Sequence, residues 1–446
     1  MPDSIEITPA AGPVRGNIRP PGSKSITNRA LICAALADGD STLIGALDSE
    51  DTRVMIDSLQ RLGVAVDVQD AGKTLRVTGC GGKIPAASAD LYIANSGTSV
   101  RFLTALAALG HGRFRLEGSP RMHQRPIADL LEGLADLGVQ LNSEAGNGCP
   151  PVVVHGAGIP GGRALVRGDV SSQFVSGLLM VAPYAGQPVE LIVDGGLVSQ
   201  PYVRMTLAVM RAFGVDVPEG NLRRFNIPLG HFRGRNHSIE PDASAASYFF
   251  AVAAITGGEM TVEGLSQHSL QGDVGFVDCL VRMGCRVIHK AATAGRAIAP
   301  GSAGGSEARS ITIIGLPPGQ KLRGITVNMN AISDTVQTLA AVALIADGPT
   351  TITGVGHIRH KETDRIGNLA IELRKFGATV EELADGLRIV PPAKPQAARI
   401  ATYNDHRMAM SLALVGLRVP GVVIEDPKCT EKTYPAYFAD LQRLVG

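Results

Sequence analysis

The strongest constraint in this chain is a pattern that repeats. An amphipathic helix stops at a glycine and turns into a short alternating strand in LQRLGVAVDV, LADLGVQL, MRAFGVDV, LVRMGCRV and LRKFGATV. The glycines Gly63, Gly138, Gly214, Gly284 and Gly377 are 75, 76, 70 and 93 residues apart. A glycine just past a helix supplies the left-handed residue that ends it. A sixth copy, FADLQRLVG, runs to Gly446.

A second, alanine-rich helix recurs with the same period: SKSITNRALICAALADG, SGTSVRFLTALAALG, SSQFVSGLLMVAPYAG, DASAASYFFAVAAITGG, SDTVQTLAAVALIADG and NDHRMAMSLALVG. Each opens on Ser, Asp or Asn, the residues that cap helix N-termini. Most lead into β-rich stretches such as STLIGAL, VELIVDGG and TTITGV. The chain therefore reads as six units of two helices and several strands, three to a domain. The N-terminal strand SIEITPA has no helix before it, and the last helix has no strand after it. These loose ends place the N-terminal strand in the C-terminal half, so that the chain crosses twice. The expected domains are 22–238 and 1–20 with 241–446. The 93-residue interval marks an insertion, and Gly/Ala/Ser-rich 291–310 reads as a surface loop.

Net charge is +1, so no global field draws nucleic acid or an anionic membrane, and anion binding must come from local clusters. Tryptophan is absent and aromatics are 4%, against a base-stacking surface. The six cysteines form no CxxC pair and read as reduced thiols of a cytoplasmic protein. The N-terminus lacks a secretory pattern, and no apolar run is long enough to span a membrane. The histidines lack metal-site spacing.

The charge sits at helix starts, where free N–H groups and dipole ends favour anions. PPGSKSITNR supplies Lys24, Ser25 and Arg29 but does not meet the P-loop pattern. NSGT, from Asn95 to Thr98, puts hydroxyls and Gly97 at another start. PRMHQRP offers Arg121 and Arg125, and DVSSQF offers Ser171, Ser172 and Gln173. Taken singly, each is as well explained by a plain N-cap or a solvated loop. In the C-terminal half Asp334 and Glu362 stand among Lys361, Arg365, Arg407 and Lys432, with His406 beside Arg407. Paired carboxylates can divide acid and base roles where their surroundings differ.

In this order, PPGSKSITNRA, NSGTSVRFL, GSPRMHQRPI, SSQF, KETDR, TYNDHRMAM and DPKCTEKTYP resemble the EPSP synthase family of enolpyruvyl transferases over residues 19–438. The resemblance implies an α/β (α+β) fold of two similar domains. Each would be three βαβαββ units in an inside-out α/β barrel, with the active site in the interdomain cleft. It implies a cytoplasmic monomer that needs no metal or organic cofactor. Its substrates would be phosphoenolpyruvate and 3-phosphoshikimate, with no nucleic-acid or membrane partner. By matching motifs, Lys24, Ser25, Arg29, Ser171, Ser172, Gln173, Ser199, Tyr202, Asp334 and Lys361 would contact 3-phosphoshikimate. Lys24, Asn95, Gly97, Arg125, Gln173, Arg365, His406, Arg407 and Lys432 would contact phosphoenolpyruvate. Asp334 would accept a proton and Glu362 donate one, with Lys361 and Lys24 in the catalytic set. Two departures from the family pattern stand out: His357 where many relatives carry Asn, and NSGTSVRF, with Ser96, Ser99 and Phe102, where plant and enteric relatives read NAGTAMRP.

The nearest rival is the sister transferase acting on UDP-N-acetylglucosamine. It carries a reactive cysteine in the loop aligned with GSPRMHQRP, and this loop has none. An RNA-end-binding protein on related repeats would need a basic surface or a nucleotide loop, and neither is present. A non-catalytic scaffold has no use for Asp334 and Glu362 among so many cations.

Overall fold

The computed structural model describes residues 2–290 and 309–446. The expected 291–310 insertion lies outside the described residues, apart from Arg309 and Ser310. Ser310 already begins a strand, Ser310–Ile314. The described residues divide into two compact units, Gly22–Ile239 and 2–21 with 240–290 and 309–446.

Among the described residues twelve helices alternate between two kinds. They are α1 (Lys24–Leu36), α2 (Glu50–Arg61), α3 (Gly97–Ala107), α4 (Ala128–Asp136), α5 (Ser172–Val181), α6 (Gln200–Ala212), α7 (Ala243–Thr256), α8 (Phe276–Met283), α9 (Val336–Ala343), α10 (Gly367–Lys375), α11 (His406–Gly416) and α12 (Tyr437–Val445). The odd-numbered helices are the alanine-rich ones. Every residue of α3, α7, α9 and α11 is buried. A helix that is apolar or small on all sides belongs in the middle of a core. The even-numbered helices are amphipathic; α2 buries Met55, Ile56 and Leu59 and exposes its charged face.

Among the described residues six small sheets flank these helices, three per unit. The segment 88–157 shows the repeat in full. Ser88–Tyr92 runs parallel to His111–Glu117 across α3. After α4, Gln140–Ser143 and Val152–Ala157 close the sheet antiparallel. This is βαβαββ, repeated from Thr326 to Val390. Two units borrow their opening strand from a distant part of the chain. Asn236–Ser238 pairs with Thr42–Ile44, and Arg15–Ile18 pairs with Glu259–Val262. The strand expected from SIEITPA is Ser4–Glu6, antiparallel to Val423–Glu425.

The glycine rule holds at each helix end, where Gly63, Gly138, Gly214, Gly284 and Gly377 have φ of 85°, 89°, 96°, 117° and 90°. The strand that should follow fails once. After Gly214 the VDV segment forms no ladder, and the third sheet closes with Arg224–Ile227 alone. Pro218 follows at once, and proline has no N–H to donate to a ladder.

Gly214→Ala and Gly138→Ala separate backbone strain from collision. A Cβ on Gly214 would meet only the Arg233 side chain, at 3.7 Å, whereas one on Gly138 would lie 2.8 Å from Pro160 Cγ. Gly214→Ala should lose about 1–2 kcal/mol in urea unfolding from left-handed strain alone, and Gly138→Ala should lose more.

Candidate active site

Within each unit the inner helices begin side by side. In α7, α9 and α11, Ser247 Oγ lies 3.0 Å from Thr338 Oγ1, which lies 3.3 Å from Ser411 Oγ. These hydroxyls all sit three to six residues past the N-caps Asp242, Thr335 and Asp405, so the three N-termini share one side. In the other unit the tie is made by Gln173, whose Nε2 donates to Thr98 Oγ1 at 3.1 Å, and by Arg29, whose Nη2 donates to Ser176 Oγ at 3.3 Å. The N-caps there are Ser23, Ser96 and Ser171.

The densest charge cluster surrounds Asp334. Its Oδ1 accepts from Lys361 Nζ at 2.5 Å and Arg365 Nη1 at 3.4 Å, and its Oδ2 accepts from Arg407 Nη2 at 2.7 Å. Arg365 also donates from Nε and Nη2 to both oxygens of Asp405, at 2.7 and 3.0 Å, and pairs with Glu362 Oε2 at 2.8 Å. Side-chain exposure is 0% for Asp405 and 1% for Arg365, against 16% for Asp334 and 25% for Lys361. The cluster therefore has a sealed floor and an open top. Asp405 Oδ1 accepts from the Arg407 N–H at 2.9 Å, so one carboxylate caps α11 and anchors Arg365.

Burial pushes the Asp334 carboxyl up, but Arg407, Lys361 and Arg365 outweigh it and hold the group well below the usual carboxylate range. Burial dominates at Lys361, whose ammonium is pushed down although Asp334 touches it. At Arg365 burial opposes the charge, and Asp405 and Glu362 more than restore it. Burial, with Lys361 alongside, pushes His357 down to about 3, so this ring stands neutral beside the cluster.

Asp334 is not the N-cap of its helix. It sits in the 3₁₀ turn Asn330–Thr335, and Thr335 takes the cap position without a side-chain bond. Freed from capping, the carboxylate can face the cations. KETDR likewise precedes α10 rather than forming its first turn, since that helix begins at Gly367. His406 and Lys432 are buried, at the start of α11 and at the end of the turn Pro427–Lys432.

In the Gly22–Ile239 unit, Lys24 Nζ donates to Asp51 Oδ2 at 2.9 Å. Arg125 Nη1 donates to the carbonyl and side-chain oxygens of Asn95, at 2.9 and 3.2 Å. Arg101 donates from Nη1 to Gln173 Oε1 at 2.9 Å. Gly97 lies under both guanidinium groups; a Cβ there would be 2.2 Å from Arg125 Nη2 and 2.7 Å from Arg101 Nη1. Arg29 is 1% exposed, with Nε on Thr206 Oγ1 at 2.7 Å and Nη1 on the Ser25 carbonyl at 2.9 Å. Its guanidinium lies 5.2 Å from the Phe102 ring and 5.9 Å from the Tyr202 ring. Its partners are hydroxyls, a carbonyl and rings, and burial lowers its pKa to about 10. Ser171 caps α5 and Ser172 begins it, and Ser199, in the left-handed region at φ 51°, precedes α6.

Sequence reasoning passed over Asp405, Asp51 and Arg101. Asp405 and Arg101 stand inside the quoted motifs, whereas Asp51 lies outside them on α2. The signal for Asp405 was its N-cap position, but nothing local shows that it also takes Arg365.

The sequence pattern of the family described as EPSP synthase (3-phosphoshikimate 1-carboxyvinyltransferase) matches residues 9–441. A protein of Trichormus variabilis named 3-phosphoshikimate 1-carboxyvinyltransferase is 45% identical over 446 residues, covering 100% of both chains. One of the same name from Nitrosomonas europaea is 46% identical over 428 residues, 95% of each. The solved structure of EPSP synthase from Acinetobacter baumannii superposes with a TM-score of 0.80 at 26% identity, covering 99% of this chain and 98% of that one.

The lowered Asp334 group has a defined pH signature. Its contribution to stability is present above the unfolded carboxyl value near 4 and is lost as pH falls through the lower folded value. Asp334→Asn should cost about 2 kcal/mol at pH 7, less than the ~3–5 of a fully sealed pair. Urea unfolding of variant and parent should begin to converge as pH falls below about 4 and should meet only below the lower folded value.

Proposed function

The chain belongs to the EPSP synthase family, and on that premise we propose how its residues divide the reaction. The activity is transfer of the enolpyruvyl group of phosphoenolpyruvate to the 5-hydroxyl of 3-phosphoshikimate, a step of aromatic amino-acid biosynthesis. The hydroxyl adds to C2 of the enol as the methylene is protonated, and the tetrahedral adduct then loses phosphate from C2 and a proton from its new methyl group, which restores the double bond.

The observation that carries the assignment is Asp334 set between Lys361, Arg365 and Arg407. In the free protein those cations hold it ionised and weakly basic. An arriving phosphate or carboxylate takes over part of their charge, so the Asp334 pKa rises when a base is needed for the hydroxyl proton. Glu362 follows the same logic. Its partner Arg365 turns to the phosphoenolpyruvate anion, and the released carboxyl can carry the proton that the methylene receives. Lys361 bridges the substrates, and Arg365, His406, Arg407 and Lys432 hold phosphoenolpyruvate. By their motifs, Asn95, Gly97, Arg125 and Gln173, with Lys24, are also assigned to phosphoenolpyruvate. Ser25, Arg29, Ser171, Ser172, Ser199 and Tyr202 take 3-phosphoshikimate. A substrate phosphate supplies the negative charge that the buried Arg29 lacks. Departure of phosphate needs only these charges and protons, so the proposal includes no metal or organic cofactor. We also propose a cytoplasmic monomer working on these small molecules, without nucleic-acid or membrane partners. In support, no helix among the described residues is long and apolar enough to cross a membrane.

Phosphate release from phosphoenolpyruvate, with EDTA present, tests this reading. Release should require 3-phosphoshikimate; release with UDP-N-acetylglucosamine alone would overturn it. Asp334→Asn and Glu362→Gln should each lower kcat by roughly 10²–10⁴ with the fold intact. Gly97→Ala, by displacing Arg125, should raise KM for phosphoenolpyruvate about tenfold and leave that for 3-phosphoshikimate little changed.

A further inference from the structure

Glu372 is a fully buried carboxylate that none of the roles above uses. It lies on α10, seven residues after Arg365, which stands just ahead of the helix. Its Oε2 accepts from the Ala401 N–H at 3.0 Å, and its Oε1 accepts from the Tyr403 hydroxyl at 2.8 Å. Lys375 Nζ, 2.7 Å away, balances its charge and also donates to the Arg399 carbonyl at 3.1 Å. The segment it grips, Ala401-Thr402-Tyr403-Asn404, leads directly into Asp405.

That segment is strained. Tyr403 and Asn404 are consecutive non-glycine residues at φ of 55° and 52°, in the left-handed region. Such a conformation persists only where its surroundings over-determine it. Here both ends of the turn are fixed by one stretch of chain. Glu372 holds Ala401 and Tyr403, and Arg365 holds both oxygens of Asp405. Asp405 then sets the Arg407 backbone as cap of α11, and Arg407 Nη2 reaches Asp334. Glu372 thus stands at the far end of a chain of contacts leading to the cations.

We infer that Glu372, with Tyr403, is a positioning residue for phosphoenolpyruvate binding: it holds the strained 401–404 turn in the one shape that presents Asp405, Arg365 and Arg407 together. The inference rests on the reading of Arg365 and Arg407 as contacts of that substrate.

The test compares the full-length Glu372→Gln, Tyr403→Phe and Arg407→Lys variants with the parent enzyme, using steady-state kinetics and amide hydrogen exchange. Glu372→Gln should lower kcat/KM for phosphoenolpyruvate about tenfold to a hundredfold, with KM for 3-phosphoshikimate within about twofold. Exchange should speed up at 401–405 and not elsewhere in the unit. Tyr403→Phe, which removes one hydroxyl at a partly exposed site, should move both readouts the same way by less; it carries the test alone should Glu372→Gln fail to fold. A rise in both KM values together, with exchange faster throughout the unit, would mark Glu372 as merely structural. Faster exchange at the turn with unchanged kinetics would also overturn the inference. Normal kinetics in Glu372→Gln beside an impaired Arg407→Lys would sink this inference alone. Normal kinetics in both would instead remove the reading of Arg407 on which it stands.

Discussion

The pair between Arg365 and Asp405 is the fixed point of the C-terminal chemistry. Both side chains are withdrawn from water, at 1% and 0% exposure, and two parallel hydrogen bonds join them. Removing two charges from water costs several kcal/mol per ion, so such a pair contributes little net stability and breaking it is expensive. What it supplies is register. It joins KETDR to NDHR, caps α11, and leaves Arg365 one edge with which to meet Asp334 and Glu362. Without it the three cations would have no shared origin.

The two units use one scaffold for two kinds of electrostatics. In each, small-residue helices pack tightly and bring three N-termini together. In the Gly22–Ile239 unit the charges at those ends meet neutral groups, Asn95 at Arg125, Gln173 at Arg101, and hydroxyls and aromatic faces at Arg29. Lys24 there pairs with Asp51. In the other unit three carboxylates interleave with the cations. The first arrangement sets cations among neutral acceptors, and the second adds carboxylates that can move a proton.

Much of this was legible because it is local. A glycine after a helix, a serine or aspartate before one, and an alternating strand are properties of neighbouring residues, and the helix ends bear them out. The failures come where distant chain decides. Pro218 removed a strand that the alternating VDV promised. Asp334 lies in a 3₁₀ turn ahead of its helix, where Lys361, Arg365 and Arg407, 27 to 73 positions on, meet it. Arg29 read as a helix-start cation; nearly two turns in, it is swallowed by α5 and α6. Counter-charges such as Asp405 and Asp51 were invisible because ion pairing between residues 27 and 40 positions apart leaves no periodicity, and the grip of Glu372 on Ala401 and Tyr403 spans a similar distance.

The borrowed strands bear on how the molecule is made. Residues 22–239 form one uninterrupted stretch, complete soon after its last strand leaves the ribosome. Ser4–Glu6 is synthesised first, yet its partner Val423–Glu425 comes more than 400 residues later. At about 5–20 residues per second, that strand edge waits tens of seconds for its mate. During that interval it is a free template for wrong pairing. Shortness is its protection: a three-residue strand, with few hydrogen bonds to offer, cannot hold a stray partner, and it gains its grip only when the chain's last sheet arrives.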